Sequence, residues 1–143
     1  MKVLKADTGR RRRRSGASAV EFALVAPLFV ALTMGQLESS RLGMVAQLLT
    51  TAAREGCRVA VIPGNTQSDV QARIDAVLSG LGISVGTVTP TCPSPYTWST
   101  APQGTPITVS LSVPYSQVSW LGTPFFLSNA VVSSAATMSS ENP

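Results

Sequence analysis

"RRRRRSGASAVEFALVAPLF", residues 10–29, sets five consecutive arginines just ahead of an apolar run and places a single glutamate, Glu21, inside that run. How this stretch is read decides the architecture of everything after it. From Phe22 to Leu37 no side chain is charged, and extension back to Ala17 gives twenty-one residues with Glu21 as the only ionisable group. At about 1.5 Å per helical residue the segment spans roughly 31 Å, close to a hydrocarbon core of about 30 Å. Residues 17–37 are therefore predicted to form a transmembrane helix. Lys2, Lys5 and Arg10 through Arg14 lie upstream of it, and the next basic residue is Arg41. The positive-inside rule then leaves the amino terminus in the cytoplasm and the remainder of the chain outside.

The charge belongs to the leader. The 143 residues carry a formal charge of +4, with no histidine, but seven of the eleven basic residues precede Ser15. Beyond Gly16 there are four arginines and six acidic residues, a net charge of −2. A nucleic-acid partner needs a basic face on the folded part, and Arg41, Arg54, Arg58 and Arg73 are too sparse to build one.

Three readings of the amino-terminal segment compete. A cleaved secretory signal requires a small-residue site after its apolar stretch, and "LTMGQLESS" supplies only Gly35 as a small residue at the exit. A plain signal anchor accounts for the arginines and the apolar length but leaves Glu21 unexplained, since a carboxylate in a membrane helix costs about 2.5 kcal/mol or more unless paired or interfacial. The third reading uses spacing: a cut after Gly16 makes Ala17 the new amino terminus and Glu21 its fifth residue.

"G-ASAVEF" resembles the processing site of type IV-like prepilins, in which a basic leader ends in glycine and a glutamate stands at mature position five before an aromatic. More specifically, residues 16 to about 60 resemble the TadE-like minor pseudopilins of tight-adherence pilus systems. The pieces that carry the resemblance are "SGASAVEFALVAPLF", "GQLESSR" and "TTAAREGCRVAV". "LESSR" departs from the family's usual glutamate, phenylalanine and glycine. The resemblance implies that residues 1–16 are a prepilin-type leader, that Gly16 and Ala17 are processing positions read by a prepilin peptidase, and that Glu21 acts in assembly. It also implies a bacterial inner-membrane location with a periplasmic or extracellular carboxyl-terminal domain. The implied partners are other pilin or pseudopilin subunits and an assembly platform. Chemistry makes the role of Glu21 intelligible: cleavage creates an α-amine on Ala17 with an ordinary pKa of roughly 7.7 to 8.0. Glu21 can pair with that amine in its own helix or with the amine of a neighbouring subunit, offsetting the cost of both charges.

Downstream, Leu42, Val45, Leu49, Ala52 or Ala53, and Gly56 recur at helical spacing. The helix is predicted to continue as a stalk over residues 38–61, its apolar stripe covered by the chain's own domain or by other helices. Glu38 with Arg41, and Glu55 with Arg58, form i,i+3 pairs suited to its solvated side. "IPGNTQ" breaks the helix. A second helix is expected from Ser68, where "SDVQ" has capping-box spacing, with Val70, Ile74, Val77, Leu78 and Leu81 on one face and Gly80 or Gly82 at its end.

The rest is strand-like. "ISVGTVT" from Ile83, the alternating "ITVSLSV" from Ile107, and "NAVVSSAATMSS" from Asn129 are the strand candidates. "TPTCPSPYTWSTAPQGTP" reads as an irregular loop. Tyr115, Trp120, Phe125 and Phe126 are expected to cap a small core, or, if exposed, to mark a subunit contact or a site near the membrane surface. The fold class is α+β: a long amino-terminal transmembrane and stalk helix, then a small domain over residues 62–143 with one helix on a short, mainly antiparallel sheet.

Enzymatic chemistry finds no footing. Without histidine there is no triad, no Cys-His dyad and no histidine ligand, and Glu38, Glu55, Asp69, Asp75 and Glu141 form no paired-carboxylate motif. No catalytic residue, metal, cofactor or small-molecule substrate is expected. Cys57 and Cys92 lack zinc-site spacing; in an oxidising compartment a disulfide between them is expected, closing about 35 residues and contributing roughly 3 to 4 kcal/mol. Two unpaired thiols are the alternative. The function expected is that of a structural minor pseudopilin precursor. A single-pass anchor whose outer domain binds another envelope protein, or mediates adhesion without entering a filament, is the rival.

Overall fold

The computed structural model describes residues 8–119 and 129–142, with side chains from Gly16 onward. In chain order the elements are α1 (Thr8–Ala60), α2 (Gln67–Leu78), a 3-10 turn at Ser79–Leu81, β1 (Pro106–Pro114), a 3-10 turn at Tyr115–Gln117, and β2 (Val131–Ser139). The chain divides into two units, residues 1–37 and 38–143.

In the first unit α1 runs unbroken through Pro27. Proline removes a backbone donor there, which leaves the Ala23 carbonyl, four residues earlier, without its helical partner. The large apolar side chains face outward: Phe22 is 73% exposed, Leu24 75% and Phe29 69%. Full exposure of one such side chain to water forgoes about 1.5–3 kcal/mol, so this surface requires an apolar surrounding. The helix is long and apolar enough to cross a membrane, with a mean hydropathy of 1.9 in its most apolar stretch.

The second unit begins at Glu38, and the outer part of α1 supplies its central helix. Val45, Leu49, Ala52, Ala53, Cys57 and Ala60 recur every three or four residues and are all buried. Of the two coverings open to this stripe, the chain's own domain is the one observed. Val70, Ile74 and Leu78 of α2 join the same core, as do Ile107, Val109, Leu111 and Val113 of β1. Gly56 permits the close approach: a Cβ there would stand 2.7 Å from Ile74 Cγ1 and 2.8 Å from its Cδ1.

The sheet has two strands, paired antiparallel from Pro106↔Ser139 to Pro114↔Val131 without a bulge. Alternation in β1 is sharp, as its sequence requires, whereas only Val132 of β2 is buried. The expected strand at Ile83 is not formed. Ile83, Val85 and Val88 are buried, but the stretch takes its polar partners from α2: Gln67 Nε2 donates to the Val88 carbonyl at 3.1 Å, and the Val88 N–H donates to Gln71 Oε1 at 2.9 Å. Side chains thus replace a ladder. Only Thr91 reaches β1, in a single bridge to Thr108.

The second helix also begins differently from expectation. Thr66, not Ser68, is the N-cap, and Asp69 closes the box by accepting the Thr66 N–H at 2.8 Å. The Thr66 hydroxyl also donates to Asp69 Oδ2 at 2.6 Å, and this bond holds the Asp69 carboxyl below its ordinary range. Gly82, at φ +63°, ends the 3-10 turn that follows.

Candidate functional site

The residues singled out for processing lie on α1, and Gly16, Ala17 and Glu21 are all exposed. A Cβ at Gly16 would meet nothing within 4 Å. Ala17 and Glu21 are four residues apart on one helix, so their side chains sit about 5–6 Å apart on the same face. An α-amine freed at Ala17 would begin a helix whose first turn favours a carboxylate, since the peptide dipoles leave partial positive charge there. The local geometry therefore suits an amine–carboxylate pair, within one chain or between two.

The carboxylates of the second unit do structural work that spacing does not reveal. Glu38 and Arg41, expected on a solvated face, reach instead to the turn after β1. The buried Tyr115 hydroxyl donates to Glu38 Oε1 at 2.6 Å, and Arg41 Nε donates to the Val118 carbonyl at 3.2 Å. Burial, with the Glu38 carboxylate beside it, pushes the Tyr115 phenol up to about 12. No periodicity identifies this contact, because its partners are 77 residues apart. Trp120, Phe125 and Phe126 lie outside the described residues.

Glu55 and Arg58 do form the expected pair, at 3.6 Å, but the stronger partner of Glu55 is Arg73 of α2 at 2.8 Å. The Arg73 hydrogen bond is the main reason that the Glu55 carboxyl lies below its ordinary range.

The bridge expected between Cys57 and Cys92 is absent, and both are free thiols. Cys57 is buried and donates to the Ile107 carbonyl at 3.3 Å; Cys92 donates to the Tyr96 carbonyl at 3.0 Å within its own turn. Each sulfur is thus engaged locally. Burial raises the Cys57 thiol pKa. Among the described residues no three His, Cys, Asp or Glu side chains converge as a metal site would require.

The family model described as TadE-like protein matches residues 16–58. No curated protein and no solved structure gives a match. The matched span starts at the glycine that the processing motif singles out, includes Glu21, and ends one residue beyond the buried Cys57. The similarity of this chain to TadE-like proteins is accordingly carried by its amino-terminal helix.

Proposed function

We propose that the chain is a minor pseudopilin precursor of a tight-adherence pilus: it is inserted by its basic leader and apolar helix, cut after Gly16 by a prepilin peptidase, and used as a structural subunit. The observation that carries this reading is the position of Glu21, four residues after Ala17 on an exposed apolar helix within a segment matched by the TadE-like family. An unpaired carboxylate in such a helix is costly. The amine released at Ala17 gives it a partner. Gly16 suits the cut for two reasons: it presents no side chain to a narrow protease subsite, and glycine lowers helix stability by roughly 1 kcal/mol relative to alanine, which eases local opening of the scissile peptide.

In this reading the leader stays cytoplasmic, residues 17–37 span the inner membrane, and the domain from Glu38 faces the periplasm or exterior. The protein acts by assembly and not by catalysis. Amino-terminal sequencing of the membrane-extracted protein tests it. A start at Ala17, lost when Gly16 is replaced by a bulky residue, is expected; an intact leader in cells that contain the peptidase would refute processing and favour the single-pass anchor. Glu21→Leu is expected to insert and mature normally yet fail to enter pili. Its normal incorporation would remove Glu21 from the assembly role.

A further inference from the structure

Charge is segregated along the second unit. On α1 the residues from Leu42 to Ala53 are uncharged, and so is the whole chain from Ala76 to Ser140. Arg54, Glu55 and Arg58 lie toward the end of α1. The second helix runs back along it, with Arg73 on Glu55 and Ile74 against Gly56, so Asp69, Arg73 and Asp75 stand at the same level or beyond. Glu141 donates its N–H to the Val61 carbonyl, at that same end.

The opposite end of the domain is the one at Glu38. It is marked by β1, which runs from Ile107 beside Cys57 to Tyr115 beside Glu38, and by Val131, which pairs with Pro114. Ser116, Gln117 and Asn129 are exposed there, and the apolar Met44 and Val131 are 53% and 61% exposed. Among the described residues the only charges at this end are Glu38 and Arg41, and both are turned onto the domain: Glu38 accepts the buried Tyr115 hydroxyl at 2.6 Å, and Arg41 Nε donates to the Val118 carbonyl at 3.2 Å.

We infer that this uncharged end of the domain rests in the interfacial layer of the bilayer and contacts lipid headgroups through Met44, Ser116, Gln117, Asn129 and Val131. The inference rests on the membrane anchorage proposed above. Glu38 directly follows residues 17–37. The interfacial layer is about 5–8 Å deep on each side of the hydrocarbon core, and at about 1.5 Å per residue Glu38 to Arg41 fall within it at any tilt of the helix. Contacts inside the domain then keep the turn after β1 at that layer, whatever the angle at which the two units meet. Charge decides what such a surface suits. In a partly dehydrated layer an unpaired charge is costly, whereas hydroxyls and amides keep hydrogen bonds to headgroups and trapped water, and apolar tips gain by leaving water. A basic patch would bind through anionic lipid. With none at this end, the contact is independent of lipid charge and of salt.

The full chain, reconstituted at no more than one copy per phosphatidylcholine vesicle, tests this. Ser116→Cys and Val131→Cys at this end, and Ile62→Cys and Gln103→Cys at the other, each in a Cys92→Ser background, carry a fluorophore quenched by nitroxide-labelled headgroups. The buried Cys57 stays unlabelled in a folded variant. Labels at positions 116 and 131 should lose most of their fluorescence, equally at low and high salt and with or without anionic lipid, while those at 62 and 103 keep theirs. Gln117→Glu puts a charge on the face and should restore the fluorescence of the label at 131; if that variant does not fold, Asn129→Glu should do the same. Quenching that a folded charge variant leaves unchanged shows only the nearness of the tether and overturns the inference. So do equal signals at both ends, quenching that needs anionic lipid or low salt, and shielding that arises only when several copies share a vesicle, which would signify a second copy on this face. Alkaline extraction of the same vesicles separates the two readings: release of the chain refutes the anchorage and the inference with it, whereas retention with unquenched labels refutes this inference alone.

Discussion

Gly56 tests how the domain holds its two helices together. It is buried on α1, and a methyl group added there would stand 2.7 and 2.8 Å from Ile74 Cγ1 and Cδ1, with Val109 Cγ1 at 3.6 Å. Two effects oppose each other in Gly56→Ala. Alanine is the better helix former by about 0.8–1.0 kcal/mol, whereas overpacking a filled core costs about 1–3 kcal/mol. The clash is with the middle of a β-branched side chain that is itself fully buried, so it cannot swing aside, and the overpacking dominates. Gly56→Ala should destabilise the domain by about 1 kcal/mol on these figures. Ile74→Ala removes both clashing atoms and alone costs about 2–5 kcal/mol. In that background the steric penalty is gone and only the helix preference remains, so Gly56→Ala should stabilise by up to about 1 kcal/mol. The prediction is a change of sign and a coupling of about 2 kcal/mol, within the range for residues in contact. Reversible denaturation of the detergent-solubilised chain, followed by tryptophan fluorescence, reads the domain without a signal from residues 17–37, since both tryptophans, Trp98 and Trp120, lie beyond them. The same sign in both backgrounds would refute the packing argument.

Three further outcomes follow from the polar contacts. The Tyr115 phenol is raised from its ordinary 10 to about 12, so the stability it confers is full below about pH 10 and is lost as the pH rises toward 12; Tyr115→Phe should show a flatter alkaline profile and, by removing the hydrogen bond to the part-buried Glu38 carboxylate, cost about 1–3 kcal/mol at neutral pH. Thr66→Ala should cost about 0.5–2 kcal/mol through loss of the cap, whereas Ser68→Ala should stay within about 0.5 kcal/mol in the same denaturation assay. Alkylation without reductant, followed by intact mass, should add one group at Cys92 in the native chain and a second at Cys57 only on unfolding; no addition on unfolding would reveal a disulfide and contradict the free thiols.

The sequence by itself determined the elements whose signals are local. An uncharged run of membrane length, the spacing of Gly16 and Glu21, the period of Val45 to Ala60, and the alternation of β1 all depend on residues within a few turns of one another, and each is read without knowing the fold. Tertiary structure decided where neighbours come from. Ile83 to Thr89 has the composition of a strand, yet Gln67 and Gln71 meet its backbone and no ladder forms. Glu38 and Arg41 have the spacing of a surface pair, yet a turn 77 residues away uses them. Cys57 and Cys92 are two cysteines in a chain with no others, yet the carbonyls of Ile107 and Tyr96 hold them separately. In each instance the deciding partner is remote in the chain, and a side chain's preference for helix, strand or surface carries no record of which distant backbone group will be unpaired beside it. The outward direction of the backbone groups of Val131, Ser133, Ala135 and Thr137 is the same kind of fact: the strand's lack of charge is visible in the sequence, but the direction in which its N–H groups point is set only by the register with β1.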